Sequence, residues 1–140
     1  ANEFLNRRVD IGDAVGACRL AVKRASEIRS GTFIISATTP FQKTDLEALR
    51  VDAPAVVTSY ADYRAEYDRR GWRMTPSLDR VYDNALARRV LGWSPRHDFA
   101  SVLGQLSRNE PPGGALAREV GRKGYHDRAF EDGPYPTDAQ

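Results

Sequence analysis

Few side chains in this sequence could act as nucleophiles, general bases or metal ligands. There is one cysteine, Cys18, and there are two histidines, His97 and His126. One cysteine excludes a disulfide framework and a cysteine zinc site, and the histidines lack the spacing of a His-x-x-x-His or His-Glu-x-x-His motif. Cys18 falls on the apolar stripe of a predicted helix. We therefore expect a packed thiol rather than a nucleophile paired with His97.

Motifs that hold phosphates or dinucleotides are also absent from the sequence. The eleven glycines form no Gly-x-Gly-x-x-Gly, Gly-x-x-Gly-x-x-Gly or Walker arrangement. A Tyr-x-x-x-Lys pair, in which lysine lowers the pKa of tyrosine to make a general base, is excluded by counting. The residues four positions before the lysines are Arg19, Thr39 and Glu119. The 140 residues therefore carry no visible catalytic apparatus.

Length and composition are those of one globular domain, or of a piece of a larger one. Hydrophobic residues make up 41% of the chain, and 21 basic residues against 19 acidic ones leave a net charge of +2. That charge is too small for a dedicated nucleic-acid binder. With no apolar run of 18 residues and no signal peptide, we expect a cytoplasmic protein. The chain begins with alanine rather than methionine, which suggests a processed or truncated product.

The apolar periodicity predicts a chain made mainly of helices. Asp10 is the predicted cap of the first one, in which apolar residues recur at helical spacing as far as Ala25. Most of the other predicted helices begin at an Asp or Thr that can cap them, and three end at or before a glycine. Four of them are predicted from Thr44 to Arg50, from Ala61 to Arg70, from Asn84 to Leu91 and from Leu116 to Val120. Two more are predicted to start at Asp52 and at Asp98.

Two or three short strands are predicted between these helices. Residues 32–37 form a β-rich run that is typical of a buried strand, and residues 7–11 and 78–82 are shorter extended pieces. One short strand is marginal without neighbours, so its partners lie either elsewhere in the chain or in protein outside it. Residues 1–126 are predicted to form one domain. Residues 127–140 have no periodicity and are predicted to be a flexible tail.

Three segments together resemble a known family. The pattern from Asp83 to Pro95 contains Leu-Gly-Trp-Ser-Pro, residues 9–15 read Val-Asp-Ile-Gly-Asp-Ala-Val, and residues 31–36 read Gly-Thr-Phe-Ile-Ile-Ser. In chain order, the first segment is 9–15, the second is 31–36 and the third is 83–95. Together they resemble the C-terminal part of extended short-chain dehydrogenases/reductases, the NAD-dependent epimerase/dehydratase family. The resemblance extends from Arg7 to about Leu106.

The resemblance implies an α/β fold: a helix-rich C-terminal portion of a Rossmann-type protein, with two or three short strands. It implies that this part binds a small-molecule substrate such as a nucleotide sugar. An N-terminal Rossmann domain, absent from this chain, would hold NAD or NADP and the Tyr-x-x-x-Lys pair. On this reading the chain is an oxidoreductase or isomerase fragment that is not catalytic alone. The chain could also form a homo-oligomer. Neither nucleic acid nor a membrane is expected as a partner.

The resemblance also indicates substrate-binding residues. The family places an arginine that grips the substrate diphosphate ten residues before the position of Asp83, and here that residue is Arg73. A second phosphate-contacting arginine of the family matches Asn6, which Arg7 and Arg8 follow. A solvated or salt-bridged surface role is the alternative for all three arginines. Trp72 and Trp93 each follow a glycine that ends a helix, and we expect them to pack over the helix end.

A second function class remains open at this stage. The chain could be a stand-alone module for small-ligand binding or oligomerisation that descends from such a domain. The reading frame upstream of Ala1 distinguishes the two hypotheses. A Gly-x-x-Gly-x-x-Gly motif and a Tyr-x-x-x-Lys pair there would indicate the enzyme, and a nearby start codon would indicate the module.

Overall fold

The computed structural model describes residues 1–120, and helices make up 56% of that part of the chain. Short 3₁₀ turns precede two stretches of α-helix, at Asn2–Leu5 and Lys43–Asp45. The α-helices are α1 (Ile11–Lys23), α2 (Ala25–Ile28), α3 (Leu46–Val51), α4 (Ala53–Tyr60), α5 (Arg64–Arg70), α6 (Ala85–Leu91), α7 (Phe99–Ser107) and α8 (Ala115–Val120). The predicted tail at 127–140, and the last residues of the predicted domain, lie outside the described residues.

Aspartates cap helices α1, α4 and α7, as the sequence predicts. The Asp10 carboxylate accepts the N–H of Gly12 at 2.8 Å at the start of α1, and Asp52 accepts the N–H of Ala55 at 3.1 Å in α4. Asp98 begins α7 in a reciprocal capping box with Ser101. These bonds satisfy N–H groups that have no partner within the helix, which is why the helices begin where they do.

Glycine ends α5 and α6, and in both cases the backbone requires it. Gly71 and Gly92 have φ angles of 64° and 65°, in the left-handed region that side chains rarely adopt. The chain then reverses so that the residue after each glycine, Trp72 or Trp93, points back toward the body of the protein. Trp93 is 4% exposed and Trp72 is 42% exposed, so only Trp93 is fully packed.

The predicted α/β class is wrong, because residues 1–120 contain no strand and the described fold is all-α. Residues 32–37 have no regular secondary structure, and among the described residues their backbone bond to the segment before α1 is from the Ala37 N–H to the Arg8 carbonyl at 2.7 Å. The Ser36 carbonyl is taken by the side-chain amide of Asn84 instead. A strand needs a repeated ladder of backbone bonds, so β propensity alone does not make one here.

Two apolar cores hold the helices together. The larger one lies between α3, α4, α5, α7 and the N-terminal 3₁₀ turn, and the smaller one lies between α1, α6 and Trp93. Burying a side chain such as Leu49, which has no exposed surface, contributes about 2 kcal/mol. The residues of the larger core are Leu5, Phe41, Leu49, Ala53, Val57, Tyr63, Tyr67, Leu78 and Phe99, and those of the smaller are Ala17, Ala87, Leu91 and Trp93.

Helix α1 is turned differently from the expectation. Its buried face carries Asp13 and Ala17, whereas Cys18 is exposed, so the predicted packed thiol is wrong. The apolar residues Ile11, Val15 and Val22 lie with Cys18 on the exposed side. Contacts with α6 and α8 decide which side of α1 is covered, and helical periodicity alone cannot show where those neighbours lie.

Candidate functional site

Arg73 is fixed through its backbone beside the N-terminal turn. After Gly71 ends α5, the N–H of Trp72 bonds to the Tyr67 carbonyl at 2.9 Å, and the side-chain amide of Asn2 donates to the Arg73 carbonyl at 3.1 Å. The Arg73 side chain is exposed and forms no ion pair with an acidic side chain of residues 1–120. Its guanidinium is thus available to an anion from outside the described chain.

Tyr67 ties the same turn to the larger core. Its hydroxyl donates to the Asn2 side-chain oxygen at 2.6 Å, while its ring packs edge-to-face against Tyr63 and Trp72. Burial raises the pKa of Tyr67 to about 12, because the phenolate would lose its hydration. Tyr67 is therefore a neutral donor at physiological pH, and it keeps Asn2 oriented toward Arg73.

These residues surround a cavity of about 360 Å³, which we call the Arg73 cavity. Tyr67 and Trp72 contribute aromatic surface to its lining, and Arg73 lines it as well. The Arg70 guanidinium lies 5.7 Å from the centre of the Trp72 ring, so Arg70 already stacks on that ring. Ala1, Asn2, Glu3, Tyr67, Trp72 and Arg73 line the cavity.

Arg7 and Arg8 meet at one carboxylate. Both pair with Glu3, at 2.7 Å and 2.6 Å, and both remain more than half exposed. The hydrogen bond from Arg7 holds the pKa of Glu3 below its usual range, and Arg8 adds to this effect. Glu3 also lines the Arg73 cavity, so the structure brings the three predicted arginines to the same N-terminal turn. Arg7 and Arg8 are salt-bridged surface residues, as their alternative role predicts, whereas Arg73 is exposed and forms no ion pair in residues 1–120, which fits both an anion contact and a solvated surface role.

A second polar cluster was not found from the sequence. Asp13 accepts the backbone N–H groups of Arg96 and His97 at 3.0 and 2.9 Å, and its Oδ2 lies 3.0 Å from the His97 ring Nδ1. Asp10 accepts from Gly114 at 2.7 Å and lies 3.8 Å from the same ring nitrogen. Both aspartates are buried.

This Asp10–Asp13–His97 cluster joins three separate parts of the chain: the start of α1, the loop before α7 and the loop before α8. Its three potential ligand atoms lie within 4.8 Å of one another, as in a metal site. Each of the four carboxylate oxygens already accepts an N–H, however, so the arrangement works as a backbone clamp. The sequence signal was the Asp10–Asp13 spacing, which puts both residues in the first turn of α1.

The glycine loop before α8 does not fit the diphosphate of a dinucleotide. Gly113 and Gly114 precede α8, where a glycine loop could approach a diphosphate. The N–H of Gly114 is already bonded to the Asp10 carboxylate, and a Cβ at Gly114 would lie 2.9 Å from an Asp10 oxygen. The close approach therefore accommodates a carboxylate of the chain itself, and this negative charge would repel a diphosphate.

Comparisons of the chain with family models, with curated proteins and with solved structures find no match. Within the part of the chain that the structure describes, no helix is both long enough and apolar enough to cross a membrane.

Proposed function

We propose that this chain is the substrate-binding portion of an NAD(P)-dependent oxidoreductase of the sugar-nucleotide epimerase/dehydratase type, and that it is not catalytic alone. The cofactor and the catalytic Tyr-x-x-x-Lys pair belong to a separate Rossmann domain of the complete enzyme. Arg73 contacts the anionic part of the substrate. The exposed Cys18 thiol fits the reducing cytoplasm, where we place the protein.

The mutual contact of the three family-like segments supports this proposal. The first and second segments are joined at their borders, where the N–H of Ala37, one residue after the second segment, bonds to the carbonyl of Arg8, one residue before the first. The second and third meet where the Asn84 side chain bonds to the Ser36 carbonyl at 2.8 Å. The first and third meet where the Trp93 indole N–H bonds to the Asp13 carbonyl at 3.0 Å. Segments that resemble one family in sequence order thus also form one joined unit.

The Arg73 cavity is the single observation that carries the substrate-binding role. An arginine without an ion pair among residues 1–120 lines it together with aromatic surface, and its backbone is held by Asn2. A guanidinium forms strong, two-pronged hydrogen bonds with phosphate, and the aromatic surface can contact the flat or apolar part of a ligand. This combination suits a phosphorylated ligand such as a nucleotide sugar.

Calorimetric titration of the 140-residue chain tests the proposal. UDP-glucose and UDP should bind, and NAD should not. Arg73→Ala should weaken UDP binding about tenfold, equivalent to about 1.4 kcal/mol. Arg19→Ala is the matched control, since Arg19 is also exposed, and it should leave the affinity unchanged. The proposal would be contradicted if neither UDP-glucose nor UDP binds, or if NAD forms a tight complex.

A stand-alone module for oligomerisation is the second candidate, and the exposed apolar side of α1 favours it. Ile11 and Val15 are 39% and 44% exposed, and Val22 is 78% exposed. Light scattering of the purified chain tests this candidate. A dimer that Val15→Glu and Val22→Glu convert into a monomer would support it, and a wild-type monomer at high concentration would exclude it. In the latter case only the substrate-binding proposal remains.

A further inference from the structure

A second cavity lies away from the Arg73 cavity and shares no lining residue with it. Its volume is about 770 Å³, against about 360 Å³ for the Arg73 cavity. It lies between the segment that follows residues 32–37 and the start of α6. We call it the Lys43–Arg88 groove. Thr38, Thr39, Phe41, Gln42, Lys43, Thr44, Leu46, Val81, Asp83, Asn84 and Arg88 line it.

The groove has an apolar floor and a fixed polar wall. Phe41 is buried in the larger core, whereas Leu46 remains 43% exposed at the groove. On the polar wall, the Asn84 amide donates to the Ser36 carbonyl at 2.8 Å and to the Thr38 hydroxyl oxygen at 3.1 Å. Because Asn84 is the donor in the second bond, the Thr38 O–H remains free to donate to a ligand. Asn84 is itself 4% exposed, so this wall is held in place.

The charges of the groove favour an anion. Lys43 and Arg88 both line it, and neither forms an ion pair with an acidic side chain in residues 1–120. Asp83 is the one acidic residue of the lining, and one of its oxygens accepts the N–H of Ala85. The lining thus has one positive charge in excess. Hydroxyl donors, one lysine and one arginine are the groups that commonly bind phosphate oxygens.

From this combination we propose that the Lys43–Arg88 groove binds a small molecule that carries a phosphate monoester. Lys43 and Arg88 bind the phosphate, Thr38 donates a hydrogen bond, and the apolar floor at Phe41 and Leu46 contacts the body of the ligand. This site goes beyond the proposed function, because it is built from other residues than the Arg73 cavity.

Two-dimensional ¹H–¹⁵N NMR of the 140-residue chain tests the site, with glucose 1-phosphate and inorganic phosphate as probes. Saturable shifts should appear at the amides of Thr38, Thr39 and Asn84. The double variant Lys43→Ala/Arg88→Ala should raise the Kd for glucose 1-phosphate at least tenfold. Both side chains are exposed, so an unchanged unfolding temperature should verify that the variant still folds.

Arg89→Ala is the matched control, because Arg89 is the next residue of α6 and lines a different cavity. It should leave the Kd for glucose 1-phosphate unchanged. An Arg73→Ala variant that loses UDP but keeps glucose 1-phosphate would separate this site from the Arg73 cavity. Amide shifts at all exposed arginines would show unspecific charge screening and overturn the proposal. An equal loss of affinity for glucose 1-phosphate in Arg89→Ala would do the same. So would the absence of saturable shifts.

Discussion

Asp13 and His97 are 84 positions apart in sequence and are joined at two points. One carboxylate oxygen of Asp13 accepts the His97 backbone N–H at 2.9 Å and lies 3.0 Å from the ring Nδ1. The other oxygen accepts the N–H of Arg96 at 3.0 Å. The carboxylate therefore fixes the loop between α6 and α7 to the first turn of α1. This loop carries the end of the Leu-Gly-Trp-Ser-Pro segment, so the clamp also sets where that segment lies.

Removal of the Asp13 carboxylate should destabilise the fold strongly. Asp13→Ala leaves the N–H groups of Arg96 and His97 without their acceptor in a partly buried place, and each unsatisfied donor costs about 1–3 kcal/mol. We expect a loss of about 3 kcal/mol or more in the free energy of unfolding, measured by urea denaturation. Asp79→Ala is the control, since the Asp79 side chain is 78% exposed, and its effect should be under about 0.5 kcal/mol. A small effect of Asp13→Ala would contradict the clamp.

The two tryptophans should respond differently to a soluble quencher. Trp93 is 4% exposed and its indole N–H bonds to the Asp13 carbonyl, whereas Trp72 is 42% exposed. Iodide should therefore quench the fluorescence of a Trp93→Phe variant, which retains Trp72. Iodide should leave the fluorescence of the Trp72→Phe variant, which retains Trp93, almost unchanged. Equal quenching in the two variants would show that Trp93 is not packed as described.

The Cys18 thiol should react in the folded protein. Because it is exposed on α1, an aromatic disulfide reagent should modify it in the folded protein without denaturant. A Cys18→Ser variant supplies the blank, and its unfolding temperature should match that of the wild type. Modification that begins only after denaturant is added would restore the packed thiol that the periodicity predicts.

Tyr67 should make the protein sensitive to alkali. Burial raises the pKa of its hydroxyl to about 12 in the folded state, against an ordinary value of 10.0. Between these two pH values the unfolded state binds fewer protons than the folded state, so stability falls as pH rises. Denaturation at pH 8 to 11 should show a steeper decline for the wild type than for Tyr67→Phe. Parallel declines would show that the Tyr67 hydroxyl is not buried.

Local signals predicted the helices well. Asp52 and Asp98 cap the helices that the sequence places there, and Gly71 and Gly92 end two others. The predictions at 32–37 and at Cys18 failed for one shared reason. Whether an extended run becomes a strand, and which side of a helix is buried, depends on neighbours that are distant in sequence.

The candidate sites show the same division. The family resemblance indicated Arg73, and the structure adds that it lines a cavity beside Trp72 and has no ion pair in residues 1–120. The Asp10–Asp13–His97 cluster had only the Asp10–Asp13 spacing as a sequence signal, and the Lys43–Arg88 groove had none. Each is formed by segments that are tens of residues apart and that only packing brings together.

The amino-acid sequence by itself determined where most helices of this protein begin and end. These positions depend on hydrogen bonds and backbone angles within a few residues of each other. Only the tertiary structure decided that residues 32–37 form no sheet. It also decided that Arg7 and Arg8 form ion pairs with Glu3, whereas Arg73 does not. Those outcomes depend on which polar groups lie within hydrogen-bonding distance after the helices have packed, and that distance is not encoded locally.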